Sequence, residues 1–208
     1  MAIQFFKSIS RIKWVPRWSL LRNTEPENVM EHSWEVATLA HILGCINNEI
    51  FEGTLSPDRL AVLGMYHDCS EMITGDMPTP AKYHSKAMTK AYKCLEGEAQ
   101  QSLLSLLPMQ IKQRVSHNIL ESKMSDKEQK ILKAADYLAA YCKAQREIEN
   151  GNAQYRDVLV GVTERLNELG LPEVGYFLND GKGHYAINKS MCHHDKTESS
   201  MEQCVAYF

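Results

Sequence analysis

The run Leu63-Gly64-Met65-Tyr66-His67-Asp68-Cys69-Ser70-Glu71 decides how this chain is read. A histidine beside an aspartate is common by chance, but on an otherwise apolar helix it is not. Burying an ionised carboxylate is costly unless a cation or hydrogen bonds offset it. A divalent metal is the simplest offset, and imidazole nitrogen with carboxylate oxygen is an ordinary ligand pair. His67-Asp68 therefore points to a metal site whose remaining ligands lie elsewhere in the chain.

Working outward, the helix carrying this run starts after Ser56-Pro57-Asp58. Ser56 is a fair cap, Pro57 suits the first turn, and the pattern reaches about Ile73. Upstream, Asn28 caps a helix over 28–49, with Glu31 completing a capping box. Residues 3–14 place Ile3, Phe6, Ile9 and Ile12 at helical spacing, and Val15 continues the series. Pro16 and the turn-like Asn23-Thr24-Glu25-Pro26-Glu27-Asn28 interrupt it. Downstream, Gly75-Asp76-Met77-Pro78-Thr79-Pro80 reads as a non-helical loop. Helices follow over 86–106, 108–121, 125–150 (opened by Ser125-Asp126-Lys127-Glu128 and stopped by Gly151) and 153–169, the last ending at Gly170-Leu171-Pro172. No strand run, repeat or linker is visible. The expectation is an all-α chain: a single helical-bundle domain over 1–178, then a polar tail over 179–208, loosely held or partly disordered.

Helical spacing selects the polar residues that face inward. His32 lines up with Val29, Val36, Leu39 and Leu43, whereas His41 falls on the opposite side, towards water. His67 shares a face with Leu60, Leu63 and Gly64; Asp68 sits beside it, and Glu71 projects from the same side one turn along. Gly64 leaves space for a close neighbour. Asp136, in Lys133-Ala134-Ala135-Asp136-Tyr137-Leu138-Ala139, is flanked at one-turn spacing by Leu132 and Ala139, an unexpected setting for a lone aspartate. Three helices thus aim His32, His67, Asp68 and Asp136 at their apolar sides. Two histidines and two carboxylates suit Mn²⁺, Co²⁺, Fe²⁺, Zn²⁺ or Mg²⁺ with positions open for water and substrate.

At 208 residues the chain can bury a proper core, and its 26 acidic against 23 basic residues argue against a protein that coats nucleic acid. A small anionic substrate needs only one or two well-placed cations and stays open. Cys45, Cys69, Cys94, Cys142, Cys192 and Cys204 form no CxxC pair and read as free thiols of a reducing cytoplasm. The N-terminus lacks the features of a signal peptide, and no run is long and apolar enough to span a membrane. A soluble, cytoplasmic protein is expected.

The same residues carry a family resemblance. A histidine, a His-Asp doublet and a distant aspartate form the pattern of the HD-domain phosphohydrolases, here His32, His67-Asp68 and Asp136. Four stretches resemble the bacterial YfbR-type 5′-deoxynucleotidases more closely: Arg17-Trp18-Ser19-Leu20-Leu21-Arg22-Asn23, Glu27-Asn28-Val29-Met30-Glu31-His32-Ser33, Met65-Tyr66-His67-Asp68-Cys69-Ser70-Glu71, and Thr74-Gly75-Asp76-Met77-Pro78-Thr79-Pro80-Ala81-Lys82-Tyr83. The similarity covers about residues 5–150 and, more weakly, the following helix; the tail is unlike anything familiar. The resemblance implies an all-helical HD-domain homodimer with one divalent metal per subunit, Co²⁺, Mn²⁺, Mg²⁺ or Zn²⁺. It implies hydrolysis of 2′-deoxyribonucleoside 5′-monophosphates to deoxynucleoside and phosphate, with little base preference. The ligands would be His32, His67, Asp68 and Asp136. Substrate contacts would fall on Arg17, Trp18, Asp68, Asp136 and the loop Asp76-Met77-Pro78-Thr79, with Glu71 by the reacting phosphate.

The chemistry needs these residue types. A phosphate monoester repels hydroxide, and a metal activates and orients a water for in-line attack. Asp68 both ligates and orients that water, and Arg17 grips phosphate through parallel hydrogen bonds, although it also suits a helix end at the surface. Glu71 is placed to move a proton, as acid or as base. Trp18 would pack on the sugar and exclude a 2′-hydroxyl by bulk, yet Trp14, Trp18 and Trp34 all have apolar sequence surroundings and equally read as core. Asp76 could accept the 3′-hydroxyl, while Pro78 and Pro80 stiffen the loop. Lys82 is a weaker candidate for a second phosphate cation. His84 and His117 read as surface residues rather than a second metal site, and Cys192-His193-His194-Asp195 with Cys204 as mobile tail rather than a zinc site. Two alternatives stay open: an HD phosphohydrolase of another nucleotide (ribonucleotide, cyclic dinucleotide or polyphosphorylated) and a non-catalytic nucleotide-binding dimer.

Overall fold

The computed structural model describes residues 2–179, and the expected tail, with its Cys-His-His-Asp run, lies outside the described residues. Helix α1 (Ala2–Ile9) tightens into a 3₁₀ turn over Ser10–Trp14. Helices α2 (Val29–Glu49), α3 (Pro57–Tyr66) and α4 (Glu71–Thr74) follow. Next come α5 (Thr79–Lys82), α6 (Lys86–Ser105) and α7 (Met109–Ile119), then α8 (Asp126–Glu149), α9 (Arg156–Leu169) and α10 (Pro172–Leu178). Among the described residues the only strand-like pairing is an isolated antiparallel bridge between Pro16 and Asn28. No helix among them is long and apolar enough to cross a membrane. The all-α expectation holds.

The caps sit where the sequence puts them. The Asn28 side chain accepts from the Met30 and Glu31 backbone amides while Glu31 reaches back to the Asn28 amide, and Ser125 with Glu128 repeats the device. Ser56 accepts from the Arg59 amide, and Pro57 occupies the first turn where no N–H is needed. Each such cap is worth about 1 kcal/mol. Gly151 at φ 84° and Gly170 at φ 59° adopt the left-handed conformation that ends a helix.

The core forms where α2, α3, α8 and α9 meet. Val36, Ala40 and Leu43 pack with Leu60 and Leu63, with Ile131, Ala135 and Leu138, and with Val158, Val162 and Leu166. A second cluster joins Ile12, Val29, Cys69 and Met72 to Leu103, Leu104, Leu107 and Ile119, so α6 and α7 cover the other end. Gly64 lets α3 approach α2 closely: a Cβ there would lie 2.6 Å from Ala37 Cα and 2.7 Å from Ala37 N. The close neighbour expected of Gly64 is the α2 backbone.

Four expectations need correction. The helix expected to run to Ile73 stops at Tyr66, and His67 to Ser70 form a turn before α4. Tight bonds, Cys69 N–H to Tyr66 C=O (3.0 Å) and Glu71 N–H to Asp68 C=O (3.0 Å), replace the α-helical ladder. The proline loop is helical at its end: α5 carries Pro80 in its first turn, where the missing N–H costs nothing. The chain resumes as a helix after Gly170, because Pro172 opens α10 rather than ending the pattern. Finally, Trp14 and Trp34 are not core residues; they are 77% and 69% exposed. Cys45, Cys69, Cys94 and Cys142 are free thiols.

Candidate active site

Three elements bring the inward polar residues together. His32 projects from the first turns of α2 and is buried. His67 and Asp68 sit on the turn that closes α3, and Asp136 lies midway along α8. The early end of α3 gives His67 its orientation. Its Nδ1 donates to the Gly64 carbonyl at 2.8 Å, a group left by the broken ladder, and this turns Nε2 towards α2.

The donor atoms converge. His67 Nε2 lies 2.9 Å from Asp68 Oδ2 and 3.3 Å from His32 Nε2. His32 Nε2 lies 3.6 Å from Asp68 Oδ2 and 3.2 Å from Asp136 Oδ1. His32, His67 and Asp68 offer ligand atoms all within 4.8 Å of one another, and Asp136 joins them through His32. Three lone-pair donors face one another, and Asp136 faces the His32 member, with too few protons to satisfy them. A proton on His67 Nε2 can serve Asp68 or His32, but not both. Ligand bonds of about 2.1 Å meeting at ordinary angles set donors about 3.0–3.5 Å apart, close to the 2.9, 3.3 and 3.6 Å among His67, His32 and Asp68. The residues present fit a divalent cation.

The electrostatics agree. Burial, then the neighbouring Arg17, lowers His32 to about 4, so its ring is neutral at physiological pH. Burial alone would raise Asp68, but His67 beside it outweighs that and holds it well below the carboxylate range. Burial likewise opposes ionisation of Asp136, and Lys133 Nζ at 2.9 Å with His32 reverses it. His32 is neutral and both carboxylates are held ionised, while His67 is raised by Asp68 against its burial and would release its proton to a cation that took its place.

A cleft opens beside these donors. Its wall carries Arg17, Trp18, Asp68, Glu71, the loop Asp76-Met77-Pro78-Thr79, Lys82 and Asp136. Every residue expected to touch substrate therefore lines one cleft. Arg17 Nε donates to Glu27 Oε1 at 2.8 Å, and its Nη1 lies 3.7 Å from Asp68 Oδ2. Trp18 holds a left-handed backbone at φ 59°, a conformation that costs a bulky residue about 1–3 kcal/mol. Glu71 is 8% exposed, and its Oε2 has no hydrogen-bond partner among the described residues. Burial, then Asp68 and Asp76, pushes the Glu71 carboxyl up to about 10. Lys82 lines the cleft but is committed to Glu96 at 2.9 Å and lies over the Tyr92 ring. His84 and His117 are exposed, as expected of surface residues.

A family model for 5′-deoxynucleotidase YfbR-like proteins matches residues 4–182. The chain belongs to this YfbR-like family. A 5′-deoxynucleotidase of Pasteurella multocida is 41% identical over 174 residues, 84% of this chain and 89% of the relative. A 5′-deoxynucleotidase of Vibrio parahaemolyticus is 42% identical over 175 residues, 84% and 90% of the two chains. The fold is similar to that of an HD-domain phosphohydrolase from Listeria innocua, with TM-score 0.72, 24% identity, and 98% of this chain and 96% of that one covered.

Sequence reasoning missed several residues around this YfbR-like site. Glu27 buttresses Arg17 and Trp18, Lys133 pairs with Asp136, and Tyr137 and Arg165 line the far wall. Lys133 and Tyr137 were detectable, since they flank Asp136 by one turn or less. Glu27 and Arg165 carry no periodic signal, and only the folded chain brings Arg165 to the cleft and Glu27 behind Arg17 and Trp18.

Proposed function

We propose that this protein is a metal-dependent 5′-deoxynucleotidase that cleaves 2′-deoxyribonucleoside 5′-monophosphates into deoxynucleoside and phosphate. One observation carries the reading: His32, His67 and Asp68 converge, with Asp136 at 3.2 Å from His32, beside a cleft walled by Arg17, Trp18, Glu71 and Asp76. The 5′-deoxynucleotidases of Pasteurella multocida and Vibrio parahaemolyticus, similar over most of the chain, support the substrate class.

His32, His67, Asp68 and Asp136 would hold one divalent cation per subunit, drawn from Co²⁺, Mn²⁺, Mg²⁺ and Zn²⁺. When bound, such a cation supplies charge against the phosphoryl oxygens and activates a water. The chain's own residues do the rest. Arg17, fixed through Nε by Glu27, turns its terminal nitrogens to the phosphate. Asp68 orients the attacking water. Burial raises Glu71 and so favours its protonated form, which supports the role of general acid. It gives its proton to the departing 5′-oxygen as the bond from that oxygen to phosphorus breaks, and it recovers a proton from the water that has added to phosphorus. Trp18 packs on the sugar where a 2′-hydroxyl would stand, and Asp76 accepts the 3′-hydroxyl. Met77, Pro78 and Thr79 shape the rim.

Residues 1–178 form the catalytic domain in this reading, and two copies pair. The exposed Trp14 and Trp34 supply apolar surface for self-contact. Sedimentation velocity at micromolar concentration tests the dimer.

The activity test is phosphate release by metal-stripped protein with Co²⁺, Mn²⁺, Mg²⁺ or Zn²⁺ restored, on deoxyribo- and ribonucleoside 5′-monophosphates. The expected result is metal-dependent release from the deoxy set. Equal release from both sets removes the Trp18 filter. Tight binding without release makes the protein a nucleotide-binding module.

A further inference from the structure

One carboxylate joins the parts of the site that the metal donors do not reach. Glu27 Oε1 accepts from Arg17 Nε at 2.8 Å and Glu27 Oε2 accepts from Trp18 Nε1 at 3.2 Å. The Glu27 side chain is 9% exposed, and its Oε1 lies 3.7 Å from His32 Nδ1. Its backbone carbonyl accepts from the Arg17 amide at 3.0 Å, so the strap that leads into α2 through residue 27 is tied back at residue 17. Trp18 needs such ties, since its backbone at φ 59° is disfavoured for a bulky side chain. Its carbonyl accepts from the Leu21 amide at 3.0 Å, and its backbone amide donates to Asp76.

We propose that Glu27 is the positioning residue on which selectivity for the 2′-deoxy sugar depends. It holds the phosphate grip, Arg17, and the sugar wall, Trp18, at a fixed separation. This rests on the 5′-deoxynucleotidase reading. Neither grip alone measures the sugar. Arg17 places the phosphate, and the 2′ position meets Trp18 only if the ring stands at a set distance from Arg17. One carboxylate with an oxygen for each donor sets that distance.

The hydrogen-bond inventory makes this testable. Glutamine keeps the shape of glutamate but has one oxygen and an NH₂ group, so it can serve only one of the two facing N–H donors. The guanidinium makes the stronger bond and keeps the oxygen. Trp18 then faces an amide N–H, is released, and admits the 2′-hydroxyl, while Arg17 still binds phosphate. The strap's backbone is held separately by Glu147, which accepts from the Thr24 and Glu25 amides, so its course survives Glu27→Gln.

The experiment compares wild type, Glu27→Gln, Trp18→Phe and the double variant on deoxyadenosine and adenosine 5′-monophosphates with saturating metal. The chain has three tryptophans, so a Trp14→Phe, Trp34→Phe background leaves Trp18 as the only tryptophan emitter. Glu27→Gln is expected to lower the deoxy-to-ribo ratio of kcat/KM about tenfold or more, as loss of one buried hydrogen-bond partner would. Its Trp18 emission should shift, and the double variant should be no less selective than Trp18→Phe alone. A wild-type ratio in Glu27→Gln, an unmoved Trp18 emission, or a loss equal for both substrates would overturn the proposal. If Glu27→Gln does not fold, Glu27→Asp, which keeps the charge but is too short to reach both donors, reads the same ratio. A wild type that treats both sugars alike defeats the deoxynucleotidase reading, and this proposal with it. A selective wild type with an equally selective Glu27→Gln defeats this proposal alone.

Discussion

Two regions of the molecule build the cleft by different means. The metal donors ride on α2, on the turn after α3 and on α8, and apolar packing sets their positions: Val36, Leu63 and Ala135 are fully buried around them. Arg17 and Trp18 ride instead on a strap between Ile12 and Val29 that is almost free of helix, and polar bonds hold it. Glu147, fully buried on α8, accepts from the Thr24 amide at 2.9 Å, the Glu25 amide at 3.1 Å, Lys143 Nζ at 2.6 Å and Asn152 Nδ2 at 2.8 Å. Tyr155 stands edge-on to Trp18 with ring centroids 5.5 Å apart and donates to Asn23. The helical region should therefore fail when volume is changed, and the strap when charge is changed.

The largest effect belongs to the donor set itself. Asp68→Ala and Asp136→Ala should each cut phosphate release about a thousandfold or more, the scale of losing several kcal/mol of charge stabilisation. Each should also lower the metal retained after dialysis, while helicity stays at the wild-type level. Near-normal turnover with metal replete would break the assignment. Next is Glu71→Gln, which keeps the shape but donates no acidic proton. Turnover should fall about a hundredfold to ten-thousandfold with nucleotide binding preserved. Because burial raises Glu71, its acid form should persist through neutral pH, and the wild-type rate should fall on the alkaline side as that proton is lost. Loss of binding in Glu71→Gln would make Glu71 a positioning group instead.

These two predictions concern the region that the sequence showed most plainly. His32, His67 and Asp136 stand out because a polar residue on a periodic apolar face is improbable, and the caps Asn28, Ser56 and Ser125 fix the phase of each helix. The break after Tyr66 was not visible, because Cys69, Ser70, Glu71 and Met72 continue a helical pattern and no glycine or proline marks the turn. The strap offered no period at all. Arg17 and Trp18 were legible only through resemblance to a known family; Glu27 fell within a resembling stretch but without a role, and Glu147 carried no signal, since their partners lie across the fold rather than one turn away.

The strap's dependence on charge can be probed through Glu147. Burial by itself would raise its carboxyl, but the bonds from Lys143, Asn152, Thr24 and Glu25 outweigh it and hold it well below the ordinary 4.5. The ionised form is favoured in the folded chain, so this stabilisation is complete above pH 4.5 and is lost as pH falls towards the depressed folded value. Glu147→Gln leaves Lys143 buried without its counter-charge and should cost about 3 kcal/mol at neutral pH. The wild type should lose more stability between neutral and acid pH than the variant does, because the variant has no proton to take up. Parallel melting curves across that range for both proteins would sink the assignment.

Gly64→Ala should be the smallest change and the sharpest test of the contrast. The new methyl meets backbone, not the tip of a flexible side chain, at 2.6 Å from Ala37 Cα and 3.0 Å from Val36 C. It can be accommodated only if α3 and α2 move apart, at about 1–3 kcal/mol of overpacking. The same two helices carry the donors whose spacing matters most. His67 is anchored to the Gly64 carbonyl at 2.8 Å, and His32, one turn before Val36 on α2, faces it at 3.3 Å. A few tenths of an ångström between the helices should therefore appear twice, as a melting temperature lower by several degrees and as weaker retention of metal. The deoxy-to-ribo ratio, which belongs to the strap, should stay unchanged. If metal retention survives the full loss of stability, the donors are positioned by their own hydrogen bonds rather than by the helices. If the ratio falls as well, the two regions are coupled through the short path from His32 to Glu27.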